Sequence, residues 1–322
     1  MKNILIFKTD RLGDLLNISP IISNIKLNYP DSNLTLICSK NNNNLAKYYK
    51  NDLKIIVYKF PLIFFLIQNF KLLKNKFDII LQLDGKNHSY FLSSILRADK
   101  KACIKFIKKK KFFKIPILIS RPNFIIHNFF HFHEVSYEDY SLNNNHKYHY
   151  LSLYLNLIKK MNINIISKDH YLPFVNPKNV SNFKEGYFLF HIDKRWEAFE
   201  INVKNELKDK ILTLSKKNCV VITSDISGNH IFDFINNELN NLTNIQIIEK
   251  PNLDNLISLI YFSKTCISSH SGLIVHAGSA FKKNIIDLVS PDINSELDRW
   301  IPFNINYNRF DINNFNFANF II

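Results

Sequence analysis

Glycine is scarce in this chain. Its 322 residues hold only six. Neither a G-x-G-x-x-G fingerprint nor a phosphate loop of the form G-x-x-x-x-G-K-[ST] occurs, so dinucleotide-dependent dehydrogenase and P-loop kinase readings lose their main support. Cysteine is scarce too. Cys38, Cys103, Cys219 and Cys266 lie far apart, without C-x-x-C spacing, each in or beside an apolar run. A thiol so placed usually serves as a small buried hydrophobe, and neither disulfides nor a zinc site are expected. No apolar run approaches the ~20 residues of a membrane span. The longest, PLIFFLI at 61–67, is too short. The first residues, MKNILIFKTDR, lack a long apolar stretch followed by small residues; they do not read as a signal peptide, and a cytoplasmic location is expected.

Acid is also in short supply: 27 Asp and Glu face 42 Lys and Arg, a net charge of +15. Such a balance favours phosphates, nucleic acid or an acidic membrane surface. No helix-turn-helix, zinc or RNA-binding motif supports nucleic acid. Much of the charge sits in KKACIKFIKKKKFFK at 100–114. There Lys108 to Lys111, flanked by Phe106, Phe112 and Phe113, suit an interfacial contact with an anionic membrane, or a solvated charge run beside a buried strand. The histidines of HNFFHFH at 127–133 match no zinc spacing and read as a loop.

What the chain does have is a regular alternation. Short apolar runs at 3–8, 33–38, 53–58, 78–83 and 103–107, then at 187–192, 219–224, 244–249, 265–269 and 284–289, predict strands. Between them, 61–75, 87–97, 150–161, 203–216, 229–239 and 252–263 have helical period. Strands with little internal polarity, separated by helices, predict parallel sheets covered on both faces, hence an α/β fold. The pattern thins over 115–148, and 166–186 holds two prolines without a clear period. A linker there divides the chain into domains 1–175 and 176–322.

Three segments could carry chemistry. In ILIFKTDRLGDLL a strand gives way, through a turn at Gly13, to a helix. With Ser19 and Pro20 as N-cap and first residue, the main helix begins at 20. Alternatively it begins at Asp14 and bends at the proline. Asp14 then either faces a ligand from the end of strand one or merely caps its helix. In ISSHSGLIVHAGSAF, Ser271 is a good N-cap and Gly272 permits close backbone approach. The helix start is an anion site, and His276 lies one turn on; a structural cap with a satisfied histidine is the plainer alternative. In YFLFHIDKRW, Lys194 follows a strand, placed for a phosphate or for solvent.

Together these segments, with FDIILQLDGKNHS at 77–89 and its Asp84, resemble glycosyltransferase family 9, the ADP-heptose:lipopolysaccharide heptosyltransferases. DKRW resembles that family's Lys-x-Trp, and SHSGLIVHAGSA its Asp-Ser/Thr-Gly…His-x-x-x-Ala segment. The matches run in order across nearly the whole chain. The resemblance implies a GT-B fold, two Rossmann-like domains facing each other across a cleft, with an acceptor-side domain at 1–175 and a nucleotide-sugar domain at 176–322. It implies inverting, metal-independent transfer from a nucleotide diphosphate sugar, ADP-heptose first among the candidates, to a lipopolysaccharide or other surface glycan, without a cofactor. The enzyme would be cytoplasmic or peripheral at the inner leaflet. No D-x-D metal motif occurs, in keeping with metal independence. Asp14 would be the general base, with Gly13 and Asp84 in the acceptor-side loops. Lys194, Ser271, Gly272 and His276 would serve the donor, Ser271 and Gly272 through their backbone N–H groups. One departure stands out: His270 occupies a position that is usually acidic in the family and near the donor sugar, so a different donor, or lost activity, is open. A non-catalytic basic module that binds anionic glycan or lipid on the same fold is the alternative.

Overall fold

The structure, a computed structural model, describes residues 1–59, 61–112, 115–121, 133–137, 149–174, 177–198, 202–226, 228–290, 297–303 and 306–311. The chain forms two compact units. The first comprises Met1–Lys168 with Asp298–Trp300, and the second Asp169–Leu297 with Ile301–Ile322. The short return to the first unit is held by Trp300, whose ring stacks on Tyr150 at 3.9 Å.

In the first unit the strands are β1 (Asn3–Lys8), β2 (Asn33–Cys38), β3 (Lys54–Val57), β4 (Lys76–Gln82), β5 (Arg97–Phe112), β6 (Ile115–Arg121) and β7 (His133–Tyr137). The helices are α1 (Leu12–Asn17), α2 (Ser19–Asn28), α3 (Asn43–Ala46), α4 (Leu62–Gln68), α5 (Phe70–Lys74), α6 (Asn87–Ile95) and α7 (Tyr150–Lys160). The sheet order is β3-β2-β1-β4-β5-β6, with β7 also on β5. β6 alone runs antiparallel. The run ILIF at 4–7 is apolar on both sides because β1 is covered on both faces; all four residues are fully buried.

In the second unit β8 (Tyr187–His191), β9 (Val220–Ser224), β10 (Ile245–Glu249), β11 (Ser263–Ser268), β12 (Asn284–Val289) and β13 (Tyr307–Asp311) form an all-parallel sheet. Its order is β10-β9-β8-β11-β12-β13. Its helices are α8 (Asn202–Ser215), α9 (His230–Leu239), α10 (Leu253–Phe262) and α11 (Gly272–Ala280). Phe188, Phe190, Trp196, Leu207, Ile211 and Phe232 build the core on one face. Each such side chain contributes roughly 1.5–3 kcal/mol through burial. Both sheets therefore carry the 3-2-1-4-5 strand order of a doubly wound fold.

Several features depart from the sequence pattern. Two strands, β6 and β7, lie within 115–148, where the sequence pattern predicts none, and both form by pairing with β5. The single helix expected over 61–75 is two helices, α4 and α5, broken at Asn69 (φ −116°, ψ 34°). The Asn69 side chain donates to the Phe65 carbonyl at 2.9 Å, competing with the helix backbone. The strand expected at 103–107 extends over 97–112, because β4, β6 and β7 all pair with it. β13 has no apolar run of its own and exists through its pairing with β12.

The first unit is also tied by Asn24, fully buried on α2. Its Nδ2 donates to the carbonyls of Pro20 (2.7 Å) and Ser167 (2.6 Å). Its Oδ1 accepts from the Ile166 and Ser167 N–H groups, at 2.5 and 3.0 Å. Removing the amide breaks four hydrogen bonds, of which the one to the Pro20 carbonyl is fully buried and the others are partly so, so Asn24→Ala should lower stability by about 2 kcal/mol. The shift of the urea unfolding midpoint checks it.

Candidate functional site

Where the strand order of a parallel sheet reverses, the loops leave in opposite directions, and ligands sit outside the carboxyl ends there. The reversals fall between β1 and β4 and between β8 and β11. Asp14 and Asp84 follow β1 and β4. Lys194 and the segment 270–272 follow β8 and β11.

In the first unit the chain after β1 is held by buried polar groups. Lys8 is 1% exposed. Its Nζ donates to Asp10, to the Leu83 carbonyl and to the Tyr154 hydroxyl, each at 2.9 Å. Burial works against its charge, but Tyr154, Asp10 and Asp14 outweigh it and hold the ammonium well above its usual range. Tyr154 is itself pushed up to about 12, chiefly by burial. Asp84 is fully buried. It accepts from the Thr9 N–H and hydroxyl (2.8 and 2.7 Å), from Gln82 Nε2 (2.8 Å), from the Lys86 N–H (3.1 Å) and from Ser89 (2.9 Å). Its carboxylate is thus a clamp joining the ends of β1 and β4. His88 lies 3.1 Å from Thr9 Oγ1 and stacks on Tyr58 at 4.2 Å; burial pulls its pKa down.

Asp14 is partly exposed, in the first turn of α1, where its Oδ2 accepts from the Arg11 N–H at 3.2 Å. It caps its helix, and Oδ1 has no partner among the described residues. The turn expected at Gly13 is instead helical. Gly13 belongs to α1 and is not among the described residues with positive φ. The main-helix start expected at 20 is met within one residue, though Ile18 rather than Ser19 is the N-cap; the alternative, one helix from Asp14 bent at the proline, does not hold. α1 begins at Leu12 and stops at Ile18, and α2 starts afresh with Pro20 in its first turn, where a missing N–H costs nothing.

In the second unit Lys194 is exposed at the start of a 3₁₀ turn, Lys194–Ala198, that follows β8. Trp196, two residues on, is fully buried and donates to the His191 carbonyl at 3.0 Å. Arg195 bonds Asp193 (3.2 Å), the Ser269 carbonyl (3.3 Å) and the His270 carbonyl, so the loop after β8 grips the loop after β11.

His270 is in the left-handed conformation (φ 53°), which a non-glycine residue adopts at a cost of order 1 kcal/mol. Asp287, fully buried in β12, holds it by both carboxylate oxygens. Oδ1 accepts the His270 backbone N–H (3.2 Å) and the Ser268 hydroxyl (2.9 Å). Oδ2 meets His270 Nδ1 at 2.6 Å and accepts from the Tyr307 hydroxyl at 2.7 Å. The carboxylate that the family resemblance expects at 270 thus arrives beside it from the next strand. Nε2 is left as the remaining polar atom of the imidazole.

Of the two N–H groups assigned to a pyrophosphate, that of Ser271 donates to Ser268 Oγ at 3.2 Å. Gly272, Leu273 and Ile274 supply the N–H groups of the first turn of α11, which have no partner within the helix. Ser271 occupies the N-cap but makes no side-chain cap. His276 is buried and stacks on His170 at 4.7 Å.

Among solved structures, a glycosyltransferase family 9 protein from Veillonella parvula matches at TM-score 0.69 and 13% identity, over 96% of this chain and 86% of its own. E. coli heptosyltransferase WaaC, solved with ADP, matches at 0.64 and 13%, over 99% and 96%. E. coli ADP-heptose LPS heptosyltransferase II matches at 0.65 and 13%, over 96% and 90%. This chain has their fold, that of GT-B enzymes. No family model and no curated sequence matches it. At such identity the likeness speaks for the fold.

Several site residues escaped the sequence reading: Lys8, Thr9, Tyr154, Asp193, Arg195, Asp287 and Tyr307. Asp287 had a signal, a single acid inside the apolar strand NIIDLV, where a buried carboxylate requires a partner. Tyr154 and Tyr307 had none, since only the fold brings them to strand ends. The tracts 108–111 and 127–132 carry side chains outside those described.

Burial sets two opposed titrations beside Lys194. His191 is pulled down to about 4 and Asp193 pushed up to about 6, each chiefly by burial. Between pH 6.5 and 4 the unfolded His191 takes up a proton that the folded one refuses, so acidification costs stability. Over nearly the same window folded Asp193 keeps a proton that the unfolded one releases, so acidification adds stability. At about 1.4 kcal/mol per pKa unit each is worth roughly 3 kcal/mol, and they nearly cancel. Relative to wild type, His191→Gln should gain stability on going from pH 6.5 to 4, and Asp193→Asn should lose it. Urea unfolding at both pH values measures each slope.

Proposed function

We propose that this chain is an inverting, metal-independent glycosyltransferase of family 9 type, moving a heptose or related sugar from a nucleotide diphosphate donor to a glycolipid or other surface glycan. The observation that carries the reading is the coincidence of fold and site. The residues that resemble the family's motifs stand at the strand-order reversals of both sheets, in a chain sharing its fold with enzymes solved with ADP and with ADP-2-deoxy-2-fluoro heptose.

In this reading Asp14 takes the proton of the acceptor hydroxyl. The hydroxyl oxygen bonds to the anomeric carbon from the face opposite the leaving group, and the carbon–oxygen bond to the diphosphate breaks. Lys8 keeps positive charge beside the loop that bears Asp14. Asp84 fixes that loop at Thr9. On the donor side the chemistry has to meet negative charge growing on the leaving diphosphate. Lys194 and the N–H groups of Gly272 and Leu273 supply it. His270, held by Asp287 at Nδ1, replaces a carboxylate that would accept sugar hydroxyls with an imidazole whose Nε2 contacts the donor sugar. His276, packed on His170, backs α11. The acceptor is carried at the inner leaflet of a membrane.

Calorimetric titration with ADP, UDP, GDP and ADP-heptose, repeated at high salt to screen loose ionic binding, tests the donor site. Saturable, salt-tolerant binding of one diphosphate is expected. Binding that vanishes with salt for all four sinks the transferase and leaves a basic glycan- or lipid-binding module. Asp14→Asn should lower turnover by 10²-fold or more while the diphosphate Kd stays within about twofold, since the base acts on the acceptor. Lys194→Ala should show the converse, with diphosphate binding weakened about tenfold.

A further inference from the structure

α4 and the start of α5 carry large apolar residues on the outside as well as the inside. Phe65 and Leu72 are buried, with Leu62, Leu66 and Leu73 packed beside them on the sheet. On the outer side Ile63, Phe64, Ile67 and Phe70 are 64, 59, 65 and 53% exposed. A surface helix ordinarily turns polar residues outward. Four large apolar side chains within eight residues make a contiguous patch, of the kind that marks an interaction site.

The surroundings of the patch are basic. Residues 53–77 contain five lysines and no acidic residue. Lys59, Lys71 and Lys74 are exposed around the patch, and Lys74 Nζ sits 4.9 Å above the Phe70 ring. Lys74 also lines a recess of about 890 Å³ at the amino ends of β1 to β4. Lys26, Lys50, Lys54 and Lys76 line it too, with Asp52 as its one acid. Of these, Lys76 is spent on Asp99 at 2.6 Å. The Ser32 hydroxyl, buried in the wall, has no hydrogen-bond partner among the described residues. Apolar patch and basic recess are thus continuous through Lys74.

We infer that the outer face of α4–α5, with the recess beside it, is a docking surface for an anionic lipid bilayer. Ile63, Phe64, Ile67 and Phe70 enter the headgroup–acyl boundary, and the lysines meet lipid phosphates. A soluble protein partner would have to bring both an apolar face and acid. A second copy of this chain, at +15, brings like charge. The α4 part of the surface lies close to the candidate site, while the recess is at the opposite, amino end of the same sheet. Phe65, on the buried side of α4, packs on Tyr58 at 5.2 Å. Tyr58 stacks on His88, and His88 meets Thr9. The proposal rests on the reading of a membrane-borne acceptor and names the surface that reaches it.

Sedimentation of the whole protein with vesicles of phosphatidylcholine alone, or with about a third phosphatidylglycerol, tests the docking surface. Wild type should bind the anionic vesicles at least tenfold more tightly than the neutral ones. Phe64→Glu with Ile67→Glu should abolish that binding, and Lys71→Glu with Lys74→Glu should weaken it about tenfold or more. All four positions are exposed, so the melting temperature should hold and certify the fold. Failure of wild type to bind, or unchanged binding by the Phe64/Ile67 variant, overturns the proposal. So does a wild-type dimer in analytical ultracentrifugation that the same variant splits, which assigns the patch to a second copy. ADP titration of the same samples separates the two ideas. Vesicle binding without nucleotide binding refutes the transferase and keeps the surface, and nucleotide binding without vesicle binding does the reverse.

Discussion

Buried charge at the carboxyl ends of two parallel sheets is the constraint on which the local structure depends. A parallel strand ends by pointing its last carbonyls and the following loop at the same small region, and any ionised group left there without water has to be paired. Lys8 is paired with Asp10 and Tyr154. Asp84 collects five donors from residues 9, 82, 86 and 89. Asp287 collects four contacts from residues 268, 270 and 307. These networks join loops far apart in sequence and hold the proposed reacting groups without contributing them.

The two units solve the same problem with different chemistry. In the first, a lysine and an aspartate lock the loops after β1 and β4, and the partly exposed Asp14 is set on a short helix with one carboxylate oxygen uncommitted. In the second, Arg195 spans from the loop after β8 to the carbonyls after β11, while Asp287 holds His270 in a strained backbone conformation. Strain that is clamped by a fully buried carboxylate belongs to function more naturally than to folding. His270 thus has a carboxylate against its imidazole, supplied by Asp287 from the neighbouring strand.

Most of the fold was legible in the residues. β1, β2 and β12 lie where their apolar runs begin and end, because a strand covered on both faces must be apolar throughout. Most other strands and helices differ by one to three residues at their ends. Asn69 broke a helix through a side-chain bond that periodicity does not register. β13 needed its neighbour β12 to become a strand at all. For the site, the chain showed which loops follow the strands at each reversal. It did not show that Gly13 would be helical, or that the Ser271 N–H would be spent on Ser268.

By itself, then, the sequence determined the α/β class, the positions of the inner strands and the loops able to carry chemistry. These are local properties, written in hydrophobic period and in a few turn and cap residues. The tertiary structure alone decided strand order, the partners of Lys8, Asp84 and Asp287, and the outward turn of Ile63, Phe64, Ile67 and Phe70. Each of these joins residues distant in the chain, or distinguishes one side of an apolar helix from the other. No local pattern encodes which side meets the sheet until the sheet is there.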